Sequence, residues 1–249
     1  MPLVANADCH AADAYIQKAV PLSSAYKVIV EFKVTTATLT ALYAASRETA
    51  EVVWTEFSFF NRERIVGDYN STASPTGISD YGWLPDSYET NHPGAFSLDP
   101  PIPVDVYFPI ELDLSYVSGT TWLHVWKING TTISSESKDR GVDDTSILTV
   151  KIPGAGAQHI TGEAYRAASC VVKNAGGATI FSDYFLSGDF SAWDSVHGAM
   201  TIVDDPAAPP PPTPPASATI GIRAAFGSLT YDATPFFYRL DDPTVPPLS

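Results

Sequence analysis

The chain has 249 residues, of which 45% are hydrophobic and 12% aromatic, so it can bury a sizeable core and does not have the composition of a disordered protein. Its 28 acidic residues outnumber 14 basic ones and give a net charge of −14. This balance argues against nucleic acid and anionic membranes as partners, because a basic patch is needed to displace counterions from either. No run of 18 apolar residues predicts a membrane span, and the first residues lack the basic and apolar segments of a secretory signal.

Period-two hydrophobic patterns dominate the chain and predict half-buried strands. The predicted strands are residues 26–34, 51–60, 104–116, 121–128, 146–152 and 163–173. Asn129-Gly130 predicts a two-residue hairpin turn, because such turns need positive φ at both central positions. Only Ala11–Lys18 and Leu39–Thr49 have patterns that also suit short helices. The chain is therefore predicted to be all-β, with antiparallel strands in two sheets.

The segment 66–103 is predicted as a long loop, because Gly, Pro, Ser and Asp are frequent in it. It nevertheless holds aromatic residues beside acids, and the candidate ligand or interface residues are Tyr69, Asp80, Tyr81, Trp83, Asp86 and Tyr88. Such rings suit a subunit contact, which is the first interpretation, or stacking on sugar rings. A packed structural loop is the third alternative. The run 204–215 is rich in proline and predicts a stiff surface loop, since proline cannot donate to a sheet ladder.

Cys9 and Cys170 are the only cysteines, and two buried thiols are favoured over one bridge. The five histidines are scattered without the spacing of zinc ligands. No cofactor is predicted, although the acidity of the chain leaves a calcium site open.

Three parts of the sequence resemble the concanavalin A-like (laminin G-like) jelly-roll family. Phe181–Met200, with its Ser-Gly-Asp turn and Phe190-Ser-Ala-Trp193, is similar to the family's opening strand, and residues 108–130 and 161–173 are similar to its later strands. The resemblance implies an antiparallel two-sheet jelly roll over residues 1–249, with 178–203 and 216–240 as opening strands in permuted order. These strands would close on the same chain or be exchanged with a neighbour, and Trp193 is expected to anchor the core.

Catalytic patterns are absent from the sequence. Glycosidases with this fold usually carry Glu-x-Asp-x-x-Glu on one strand, and the nearest candidate here is the pair Glu111 and Asp113, which lacks the third acid. The sequence thus predicts no enzyme. The first functional prediction is a structural protein of a virion (a phage head decoration, fibre or tail component) that forms a homo-oligomer or contacts other virion proteins. The alternative is a carbohydrate-binding adhesin or module with a glycan ligand, located extracellularly or at a cell surface.

Overall fold

The structure is a computed structural model that describes residues 2–21, 23–45, 51–57, 61–69, 81–87, 100–139, 148–153 and 159–212. For 51–57, 61–69, 81–87 and residue 138 it describes the backbone alone. The chain divides into two compact units, Met1–Pro211 and Pro212–Ser249. Everything described below, apart from Pro212, belongs to the first unit.

The described part of the chain contains fourteen strands and one helix. In chain order they are β1 (Leu3–Asp8), β2 (Tyr15–Val20), β3 (Ala25–Val34), α1 (Thr36–Ala44), β4 (Glu51–Phe57), β5 (Asn61–Tyr69), β6 (Tyr81–Ser87), β7 (Phe108–Ser118), β8 (Thr121–Ile128), β9 (Thr131–Asp139), β10 (Leu148–Ile152), β11 (Ala164–Asn174), β12 (Thr179–Asp183), β13 (Ser195–His197) and β14 (Ala199–Asp204).

The strands form two antiparallel sheets, which confirms the predicted two-sheet jelly-roll class. The eight-stranded sheet has the order β14-β1-β11-β3-β7-β8-β9, with β12 also paired to β11. The six-stranded sheet has the order β13-β2-β10-β4-β5-β6. Most paired strands are distant from each other in the chain, so each sheet is held together largely by long-range pairing.

The core lies between the sheets because alternate residues of each strand are apolar. In β3 the even-numbered residues from Tyr26 to Val34 are buried, and in β7 those from Phe108 to Leu114 are buried. Trp122 and Trp126 of β8 add the largest fully buried side chains. The odd-numbered residues of β3 and β7 therefore form the outer face of the eight-stranded sheet.

The turn Asn129-Gly130 joins β8 to β9, as predicted, with φ of 49° and 79°. Helix α1 begins after Thr35, whose side chain accepts a hydrogen bond from the Thr38 N–H at 3.1 Å. It therefore starts three residues before the predicted segment. The helical alternative for Ala11–Lys18 is wrong, because Tyr15–Val20 is strand β2 and is paired on both sides.

The segment that resembles an opening strand pairs within this chain. Strand β14 lies beside β1 with Ala5 opposite Ile202, β13 pairs with β2, and β12 pairs with β11. Trp193 is 6% exposed, belongs to the main core cluster and donates its Nε1–H to Asp183 at 2.7 Å. The segment 216–240 lies outside the described residues.

The predicted loop 66–103 is in part strand, which corrects the sequence-based expectation. Residues 66–69 complete β5 and residues 81–87 form β6. Gly82 and Pro85 of β6 obscured the pattern, because both residues are uncommon in strands. Strand β6 is the outermost described strand of its sheet, and an edge strand tolerates a proline.

Candidate functional site

Four of the six residues predicted from the loop lie in strands β5 and β6. Tyr69 lies opposite Tyr81 and Trp83 lies opposite Gly67, so the three aromatic positions share one side of the β5–β6 pair. Asp86 lies opposite Arg64 and is on the other side. Asp80 and Tyr88 lie outside the described residues. The role of these residues in a contact or in ligand binding stays a prediction.

A groove of about 670 Å³ runs along the outer face of the eight-stranded sheet. Its polar lining comes from β3, β7 and β11, and consists of Lys27, Asp113, Ser115, Lys173 and Asn174. Register explains why these residues meet: Lys173 lies opposite Lys27, and Lys27 lies opposite Asp113. The volume is in the range of sites that hold small ligands.

Ion pairs between lysines and acids link strands β3, β7 and β8 beside this groove. The Lys27 ammonium lies 3.1 Å from a carboxylate oxygen of Glu111 and 3.1 Å from one of Asp113. Asp113 also contacts the Lys127 ammonium at 2.6 Å. Burial opposes the charge of Lys27, but hydrogen bonds to Asp113 and Glu111 outweigh it and raise the pKa of Lys27. We call these four residues the ion-pair chain.

Glu31 extends the row of acids on the same face. It lies opposite Pro109 in the register, so Glu111 is its diagonal neighbour on β7. Burial, followed by repulsion from Glu111, raises the pKa of Glu31. The outer face therefore holds one carboxyl group with a raised pKa beside two that contact lysines.

A second charged cluster, centred on Asp205, closes the other end of this face. The Asp205 carboxylate accepts hydrogen bonds from Lys33 at 2.9 Å, Arg166 at 2.7 Å and Tyr107 at 2.9 Å. Burial opposes ionisation of Asp205, but these hydrogen bonds and one from the Ala207 N–H hold its pKa well below the ordinary value. Ala208 then packs on Val4 and Ala168, so residues 205–208 cover the sheet here.

The outer face of the six-stranded sheet carries an aromatic cluster. The Tyr15 and His197 rings stack with centroids 4.5 Å apart, and the Lys151 ammonium lies 5.5 Å from the Tyr15 ring centroid. The His197 Nε2 and the Ser195 hydroxyl are 3.1 Å apart.

Both cysteines are free and buried, which confirms the prediction of two thiols. Burial raises the pKa of the Cys9 thiol to about 12, and it also raises that of Cys170. Neither is therefore an activated nucleophile. In the described ranges, no group of three or more His, Cys, Asp or Glu residues is placed to hold a metal ion. No helix in the described part of the chain has both the length and the apolar character needed to cross a membrane.

Comparison with known proteins finds similarity only at the level of solved structures. No family model and no curated protein sequence matches the chain. A mutant of the alginate lyase Aly36B in complex with alginate tetrasaccharide matches 64% of this chain and 73% of its own, with 11% identity and a TM-score of 0.47. Scytalido-glutamic peptidase with a peptide-based transition state analog matches 76% of this chain and 97% of its own, with 11% identity and a TM-score of 0.38. The kappa-carrageenase from Pseudoalteromonas carrageenovora, in complex with an oligotetrasaccharide of kappa-carrageenan, matches 66% of this chain and 78% of its own, with 8% identity and a TM-score of 0.32.

These structures are all of enzymes, and they contradict the sequence-based prediction that the chain is not an enzyme. That prediction rested on the absence of catalytic patterns from the sequence, including a complete Glu-x-Asp-x-x-Glu string. We do not retain it. At these identities and TM-scores the similarity assigns no activity to the present chain.

Proposed function

We propose that this protein binds carbohydrate in the groove on the outer face of its eight-stranded sheet. The groove itself carries the proposal. It is concave, and its walls present an ammonium, a carboxylate, a hydroxyl and an amide from three neighbouring strands. Sugar hydroxyls both donate and accept hydrogen bonds, so a wall that mixes donors and acceptors suits them.

The proposal includes membership of the concanavalin A-like family in permuted strand order. Its support is the pairing of β14 with β1, which sets the segment that resembles an opening strand beside the first strand of the chain. The predicted virion role and the virion or extracellular location stay predictions, as do the homo-oligomer and the virion partners.

Filling the groove tests the proposal. Ser115→Trp places a large ring in the groove, and Ser195→Trp is the matched control, because Ser195 is also half-buried but lies on the other sheet. We expect a glycan array to show binding by the unchanged protein and by Ser195→Trp. Ser115→Trp should bind the strongest glycan at least tenfold more weakly in calorimetry. Unchanged binding by Ser115→Trp would place the site elsewhere.

Hydrolysis of the bound saccharide is a second candidate, favoured by the acids beside the groove. Glu31 and Glu111 are diagonal neighbours, which corresponds to about 7–8 Å between their backbones. In glycosidases the carboxyl groups of the acid and of the base or nucleophile are roughly 5–9 Å apart, a separation that side chains at these two positions can reach. The raised pKa of Glu31 suits the role of the acid.

New reducing ends released from the strongest array ligand measure this activity. Glu31→Gln and Glu111→Gln should each lower the release at least a hundredfold and leave the affinity within about threefold, because general acid catalysis contributes factors of roughly 10²–10⁴. Release that is absent from the unchanged protein, or that survives both substitutions, would remove the hydrolytic candidate and leave the binding proposal in place.

A further inference from the structure

Among the described residues, five basic side chains lie on the outer face of the eight-stranded sheet, and four of them are already paired. Lys27 and Lys127 contact the carboxylates of the ion-pair chain. Lys33 and Arg166 share the carboxylate of Asp205. Each of these four cations is therefore compensated by an acid on this face.

Lys173 is the fifth of these residues and differs from the others. It is half-buried and lines the groove, and no carboxylate of the described residues lies within ion-pair distance of its ammonium. Its neighbours in the register are Lys27 on β3 and Thr179 on β12. Neither of these side chains supplies a negative charge.

The pairing with Lys27 makes this position attractive to an anion. Residues opposite each other in a sheet have Cβ atoms roughly 4.5–5.5 Å apart, and like charges in such a pair repel. The charge of Lys27 is offset by Glu111 and Asp113, whereas that of Lys173 has no such partner. A ligand carboxylate or sulfate beside Lys173 would supply the missing counter-charge inside the groove.

We infer that the groove selects acidic saccharides, with Lys173 as the residue that contacts the uronate carboxylate or sulfate ester. This inference rests on the proposed function and adds the class of ligand to it. The neutral part of the ligand contacts the mixed polar wall formed by Asp113, Ser115 and Asn174.

Calorimetry with two matched probes tests the inference. We compare a hexamer of galacturonic acid with a hexamer of glucose, each at low and at physiological salt. The unchanged protein should bind the galacturonate hexamer at least tenfold more tightly at low salt, and added salt should reduce this preference because it screens the charge. The glucose hexamer should show little salt dependence.

Lys173→Gln should abolish the preference, with the affinity for the acidic hexamer falling at least tenfold and that for the neutral hexamer changing less than twofold. Lys173→Arg should retain it. Lys151→Gln is the control, because it removes the same charge from the outer face of the other sheet. Near-equal affinities for the two hexamers, or a preference that survives Lys173→Gln, would overturn the inference and leave the carbohydrate-binding proposal standing. Binding of neither hexamer and of no array glycan would overturn both.

Discussion

Asp205 and Asp113 lie on the same face of the same sheet, and each is held by more than one cation, but their surroundings differ. The Asp205 side chain is 4% exposed and accepts hydrogen bonds from three side chains. The Asp113 side chain is 26% exposed, contacts two lysines and borders the groove. One end of the face is therefore covered by residues 205–208, and the other end is exposed at the groove.

This difference separates a charge that stabilises the fold from charges that remain available to a ligand. A buried carboxylate without its partners is costly, so the Asp205 cluster must stay complete for residues 205–208 to remain packed on the sheet. Half-exposed pairs contribute little net free energy, because water competes for both charges. The ion-pair chain can therefore rearrange around a ligand at low cost.

Removal of the buried carboxylate should have the largest effect. Asp205→Ala leaves the Lys33 ammonium buried without a counter-charge, and it should lower the free energy of unfolding by about 3–5 kcal/mol. Urea unfolding followed by circular dichroism measures this loss. Asp204→Ala is the control, since the neighbouring side chain is exposed, and it should change stability by less than about 0.5 kcal/mol. Similar values for the two variants would mean that the cluster does not hold the fold.

The pH dependence of stability gives a second comparison. The pKa of Asp205 is lowered in the folded state, so its stabilising contribution is complete above the unfolded-state value of about 3.9 and is lost as the pH falls towards the folded-state value. Asp205→Asn has no such proton to bind. The stability difference between the unchanged protein and Asp205→Asn should therefore be constant from pH 7 to about pH 5 and shrink below about pH 4. A difference that stays constant down to pH 2.5 would contradict the assigned pKa shift.

The sequence was informative about strands and poor at locating the site, for a physical reason. Alternation in residues 26–34 and 121–128 depends on neighbours in the chain, and so does the Asn129-Gly130 turn, and all three were predicted. The cluster at Asp205 joins residues from four distant segments, and the groove depends on the register of β11, β3 and β7. Lys27, Asp113 and Lys173 are ordinary outward-facing residues until that register is known.

The candidate residues Tyr69, Tyr81, Trp83 and Asp86 show the same limit of sequence reasoning. They are close in the chain, but the register of β5 and β6 places Asp86 on the opposite side of the strand pair from the three aromatic positions. Proximity in sequence indicates a shared surface in a loop, whereas in a strand only every second residue shares one.

The smallest effect on stability, and the sharpest contrast, should come from replacing lysine by methionine at two different positions of β3. Lys27→Met breaks two half-exposed ion pairs and should change the free energy of unfolding by less than about 1 kcal/mol. Lys33→Met, on the same strand and the same face, removes a buried partner of Asp205 and should cost at least about 2 kcal/mol. Urea unfolding at pH 7 measures both. If the two variants lose the same stability, burial does not distinguish the two ends of this face, and the ion-pair chain cannot rearrange around a ligand at low cost.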